Sequence, residues 1–86
     1  MEEMKEYAVI FEKTATGYSA YCPDLPGLAS CGKTFEDTRR IMREALDFHL
    51  EGLQKAGLPV PEPTTQVGLV AVDELEEWKA PLARTA

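Results

Sequence analysis

His49 is the only histidine among 86 residues, and a proton shuttle built on it would need a nucleophile and an orienting partner within reach. No Ser/His/Asp or Cys/His order can be assembled around it. It falls one turn after Ala45 and one before Leu53, on a stripe of apolar residues at helical spacing. Because buried polar groups are paired, it is expected to be a buried or interface histidine held by one hydrogen bond. The carboxylates offer a second possibility. Metal-dependent phosphodiester cleavage needs several of them converging on two cations about 4 Å apart. Glu6 and Glu12 only bracket an apolar run, Ala8-Val9-Ile10-Phe11, and Asp73 and Glu74 only follow another. Two cysteines, Cys22 and Cys31, without clustered histidines give no zinc arrangement. Catalytic residues, metal ligands and cofactors are therefore expected to be absent, and the chain is not expected to be an enzyme.

Recognition by shape is better served. Cys22-Pro23-Asp24-Leu25-Pro26-Gly27-Leu28 carries two prolines and a glycine in seven residues. Each proline locks φ near −65° and drives the residue before it toward extended geometry, while Gly27 can supply a positive φ. The loop either reverses the chain between two strands or, being rigid, presents Pro23, Asp24, Leu25, Pro26 and Gly27 as a preformed edge to a partner.

The elements that hold this loop are readable on either side. Glu6 to Glu12 is rich in β-branched and aromatic residues and predicts a strand; Ala15-Thr16-Gly17 predicts a turn, and Gly17 to Cys22 its antiparallel partner. Leu28 to Cys31 predicts a third strand, completing a meander. Thr34 predicts an N-cap, with Asp37 three residues on in something close to a capping box. Phe35, Thr38, Met42, Ala45, Leu46, Leu53 and Ala56 then recur at spacings of three and four, flanked by Ile41 and Phe48, which predicts a long helix with one stripe toward a core. Gly57 stands at its C′ position. Arg39, Arg40 and Arg43 lie among Glu36, Asp37, Glu44 and Asp47, a salt-laced solvent face in which Glu36 with Arg40 and Arg43 with Asp47 have i,i+4 spacing. Pro59, Pro61 and Pro63 make a stiff connector, Gln66 to Val72 predicts a fourth strand, and Asp73 to Trp78 a short helix or turn.

These residues resemble a known family. Tyr7 to Glu12, Gly17-Tyr18-Ser19-Ala20, the Pro-Asp-Leu-Pro-Gly loop, Ser30-Cys31-Gly32-Lys33-Thr34 leading into an acidic helix, and Gly57 followed by a proline-rich connector are similar to the N-terminal domain of HicB antitoxins. The likeness runs from about Tyr7 to Val72. It implies an α+β, degraded ribonuclease-H-like β-β-β-α-β domain with one long helix on one face. It also implies a protein that binds and silences a small mRNA-cleaving toxin of the HicA type. That fold places an acid inside its first strand, which Ala8 to Phe11 do not supply. Many relatives carry a further DNA-binding segment; residues 1–86 are expected to form a single domain without one.

A crossover through a helix back to the same sheet is right-handed, which puts strand four parallel to strand one in the order 3-2-1-4. Tyr7, Val9 and Phe11 alternate with Ala8 and Ile10, and Val67, Leu69 and Ala71 with Val70 and Val72, so both faces of these strands are apolar while one helix covers only one. A homo-oligomer follows, unless the segment around Trp78 folds over the second face.

Composition narrows the partners. Fifteen acids against nine bases give a net charge of −6. No window has the clustered Lys and Arg that carry nucleic-acid affinity, so direct nucleic-acid binding is not expected, whereas a basic protein partner is well matched. The first six residues contain neither a basic n-region nor an apolar run, and no run approaches a membrane span of about 20 residues. A cytoplasmic location with reduced thiols is expected. The functional reading is thus a HicB-like antitoxin module that inhibits by occlusion. Its rivals are an orphan homo-oligomer of structural or regulatory role and, behind it, a small ligand-binding protein or enzyme on the same fold.

Overall fold

A computed structural model describes residues 4–73. Its elements run β1 (Ile10–Lys13), β2 (Tyr18–Tyr21), β3 (Ala29–Gly32) and α1 (Phe35–Lys55). The strands form the expected meander, an antiparallel sheet in the order β1-β2-β3. Phe11 lies opposite Ala20, and Ala20 opposite Ser30, so these three share the face turned toward α1. β1 and β2 are shorter than the runs that announce them, and β3 is shifted one residue on from the expected Leu28–Cys31. Tyr7, Ala8 and Val9 lie outside the ladder, although Tyr7 and Val9 still pack against the core. Glu12, expected as the last residue of the first strand, lies inside it, exposed and paired with Ser19 on the face away from Phe11, and the strand runs on to Lys13.

The start and end of α1 follow local rules. Thr34 is the N-cap, its hydroxyl accepting the Asp37 N–H at 3.0 Å. The reciprocal half of a capping box does not form, because the Asp37 carboxylate turns to Arg40 at 3.7 Å. At the other end Gly57, with φ +73°, donates its N–H to the Gln54 carbonyl, and the Leu58 N–H reaches the Leu53 carbonyl. This pair of bonds is the Schellman arrangement, and it satisfies two carbonyls that the helix leaves open.

The core is small. Ala20, Cys22, Leu25 and Met42 are its buried apolar members, joined by Thr38, whose hydroxyl donates to the Thr34 carbonyl at 2.8 Å. Tyr7, Val9, Phe11, Leu28, Leu46 and Leu50 pack around them half-buried. Phe48, placed beside the buried stripe by its spacing, is 78% exposed and faces away from it. Helix α1 lies mainly over β3 and β2. Among the described residues the inner side of β1 is therefore only partly roofed, and β1 is an edge strand without a second neighbour.

The fourth strand is where sequence and structure part. Gln66–Val72 has no ladder partner among the described residues. A strand needs a neighbour for its backbone groups, and β-branched composition does not provide one. The segment stands out as an arm: Val67 is 62% exposed, Leu69 96%, Val70 87% and Val72 70%. The molecule measures 55 × 27 × 26 Å, whereas a helix of 21 residues accounts for only about 32 Å of length. The short helix or turn expected at Asp73–Trp78 lies, after Asp73, outside the described residues.

Candidate functional site

The proline loop consists of two consecutive turns. Leu25 N–H donates to the Cys22 carbonyl at 3.0 Å, Leu28 N–H to the Leu25 carbonyl at 3.1 Å, and Cys22 N–H closes the loop on the Leu28 carbonyl at 3.3 Å. Pro23 and Pro26 each follow the first residue of a turn, where their fixed φ is already suitable. Gly27 has φ +90°, the left-handed value the sequence assigned to it, and a proline–glycine pair at the centre of the second turn suits the type II geometry. Leu25, at 2% exposure, drops into the core between the turns and anchors them. Pro23, Pro26 and Gly27 are left exposed as an outer edge.

Asp24 is held from behind. One carboxylate oxygen accepts the Thr64 and Thr65 N–H groups at 3.1 and 3.2 Å, and the other accepts their hydroxyls at 3.1 and 2.9 Å. Four donors to one carboxylate favour its charged form, and the Thr65 N–H foremost holds its pKa below the usual 3.8 against an opposing desolvation. The connector is pinned twice more: the Tyr7 hydroxyl donates to the Pro61 carbonyl, and Lys5 pairs with Glu62 at 3.1 Å. Burial foremost raises the Tyr7 pKa above its usual 10.0. Thr64, Thr65 and Glu62 are site residues that residue type alone did not reveal. The only sequence signal was two adjacent threonines directly after a proline ladder, a placement that suits a side-chain clamp.

A groove of about 470 Å³ runs beside the open edge of β1. Tyr7, Val9 and Phe11 line one wall and Met42 and Leu46 the other, with Arg39, Arg40 and Arg43 along the helix side. Arg43 meets Asp47 at 3.4 Å as its spacing predicts, while Arg40 turns to Asp37 and to Glu44, at 3.8 Å, rather than to Glu36. Such exposed pairs contribute under about 1 kcal/mol each, so they remain exchangeable. Arg39 makes no ion pair among the described residues.

The remaining candidates stand apart among the described residues. His49 is half-buried on α1, and its ring has no hydrogen-bond partner among the described residues, so the bond expected of it is not made there. Cys22 is buried and Cys31 exposed, both as free thiols. Among the described residues no three His, Cys, Asp or Glu side chains gather where a metal could be held. No described helix is long and apolar enough to cross a membrane.

Comparison with known proteins gives a consistent result. Residues 7–84 match the profile of the HicB-like antitoxin of bacterial toxin–antitoxin systems. A UPF0150 protein of Synechocystis sp. is 37% identical over 62 residues, covering 71% of this chain and 78% of the relative. A 14.9 kDa protein from the rep–hol intergenic region of Haemophilus phage HP1 is 34% identical over 65% of this chain but only 42% of its own. Among solved structures, a chain of the HicA3 and HicB3 toxin–antitoxin complex superposes with TM-score 0.59 and 35% identity, covering 70% of each chain. The antitoxin HicB3 crystal structure superposes equally well, with 70% of this chain and 44% of that one covered.

Proposed function

The chain belongs to the HicB-like antitoxin family of bacterial toxin–antitoxin systems, and we propose on that footing that it binds a small HicA-type mRNA-cleaving toxin and silences it by occlusion. The observation that carries this reading is the likeness, at 35% identity over 70% of both chains, to a chain of the HicA3 and HicB3 complex. Two features of the molecule support it. The proline loop is fixed by its turns, by Leu25 below and by the Asp24 clamp behind, so presenting Pro23, Pro26 and Gly27 to a partner costs little further ordering. A net charge of −6 favours encounter with a basic RNA-binding protein.

The module performs no chemistry of its own. Its meander and helix are a reduced ribonuclease-H-like unit, its working form is a homo-oligomer in the cytoplasm, and it contacts the toxin rather than nucleic acid. His49, half-buried on α1, borders an interface. The test is an RNA-cleavage assay with a HicA-type toxin encoded in a neighbouring reading frame. Added at equimolar amounts, the full chain is expected to stop cleavage, and with Mg²⁺ or Mn²⁺ in place of toxin it is expected to cleave nothing. Failure to bind any such toxin would leave an orphan homo-oligomer as the better reading. Metal-dependent cleavage lost on changing Glu12 or Asp73 would overturn the non-enzymatic one.

A further inference from the structure

The arm at residues 66–72 and the groove beside β1 are two unfinished surfaces of one molecule. The arm has no regular secondary structure, carries valine and leucine at alternating positions and has no ladder partner among the described residues. The groove is apolar on both walls and lies against a strand edge that has no ladder partner on one side among the described residues. An exposed edge with an apolar flank is a template for an added strand.

The arm does not reach its own groove in this structure, and the reason is visible. The connector touches Tyr7 at Pro61, beside the start of β1, and is then drawn across the end of the sheet to Asp24, in the loop joining β2 to β3. The Asp24 clamp at Thr64 and Thr65 thus releases the chain on the side away from the open edge of β1. From there seven residues reach about 23 Å, which agrees with the 55 Å long dimension.

We propose that the groove between β1 and α1 receives the arm of a second copy of this chain, so that each protomer completes the other's sheet with residues 66–72. Reciprocal exchange of one element closes as a twofold dimer and leaves no edge open. The fourth strand predicted from the sequence is then real, and the order 3-2-1-4 holds with strand four supplied in trans. Charge agrees with the assignment: the arm leads into Asp73-Glu74-Leu75-Glu76-Glu77, and the helix side of the groove carries Arg39, Arg40 and Arg43. The exchange deepens the homo-oligomeric unit proposed above and is independent of toxin binding, so a toxin assay and an association assay can fail separately.

Sedimentation of the full chain is expected to give twice the 9.5 kDa of one chain. Leu69→Asp with Val70→Asp is expected to give the single mass with the helical far-UV signal of α1 retained, since both side chains lie outside the body. Pairing is tested by disulfide trapping in a Cys31→Ser background. When a Val9→Cys chain is mixed with a Leu69→Cys chain, the mixed dimer should be trapped, and the chain carrying both changes should link between copies. A monomer at all concentrations, a dimer indifferent to the two aspartates, links joining Leu69→Cys only to itself, or a link closed within one chain would each overturn the exchange.

Discussion

Asp24 has two roles in this molecule, and one was legible in the sequence. Its place after Pro23 marks it as a turn residue. That its carboxylate would collect four hydrogen bonds from Thr64 and Thr65, forty residues away, was not legible, because nothing local brings them together. The lowered pKa sets a pH dependence. With the folded-state value below 3.8, the clamp contributes fully above that pH, and its contribution is lost as pH falls through the folded value, where the protonated acid no longer favours all four donors. Amide shifts of Thr64 and Thr65 are therefore expected to hold steady down to about pH 4 and to move toward random-coil positions below it. Asp24→Asn should produce the same shifts at neutral pH, because one carboxamide oxygen replaces two acceptors. Unmoved Thr64 and Thr65 signals in that variant would show that the clamp does not hold the connector.

At the scale of elements the local signals were sufficient wherever an element is closed by its own residues. The Thr34 cap, the Gly57 stop, the positive φ of Gly27 and the three-strand meander all follow from chemistry within a few positions of where they occur. The misplacements share another cause. Phe48 has core spacing but lies outward, because α1 sits over β3 and β2 and no described element covers its far flank. Strand four has strand composition but no neighbour to pair with, and pairing depends on tertiary placement that composition does not encode. Since α1 supplies Met42 and Thr38 to a small core, its stability should be felt by the whole domain. Thr34→Ala removes the acceptor for the Asp37 N–H and is expected to cost about 1 kcal/mol, a fall of about 4–8 °C in Tm for a domain of this size. A calorimetric Tm within about 1 °C of the parent would mean that water or Asp37 caps the helix end as well as Thr34 does.

The whole molecule is described by what one copy leaves undone. Among the described residues fully buried apolar side chains are few, an apolar arm stands exposed and a sheet edge has no partner; small domains commonly meet such a deficit by association. The alternation in residues 66–72 carried that information in the sequence, since a strand apolar on both faces asks for two covering surfaces and one helix offers one. Which copy provides the second surface depends on the path of the connector, fixed by Asp24 and Tyr7. If strand exchange completes the core, folding is coupled to assembly, and stability must rise with chain concentration. A hundredfold increase in concentration should stabilise the dimer by about 2.7 kcal/mol, and the parent Tm should rise accordingly between micromolar and submillimolar samples. The Leu69→Asp, Val70→Asp chain should melt lower and at a temperature independent of concentration, because its body is closed only by its own residues. A parent Tm that does not move across that range would mean that each copy satisfies its own edge, and the acidic, loop-presenting unit offered to a toxin would then be a single chain.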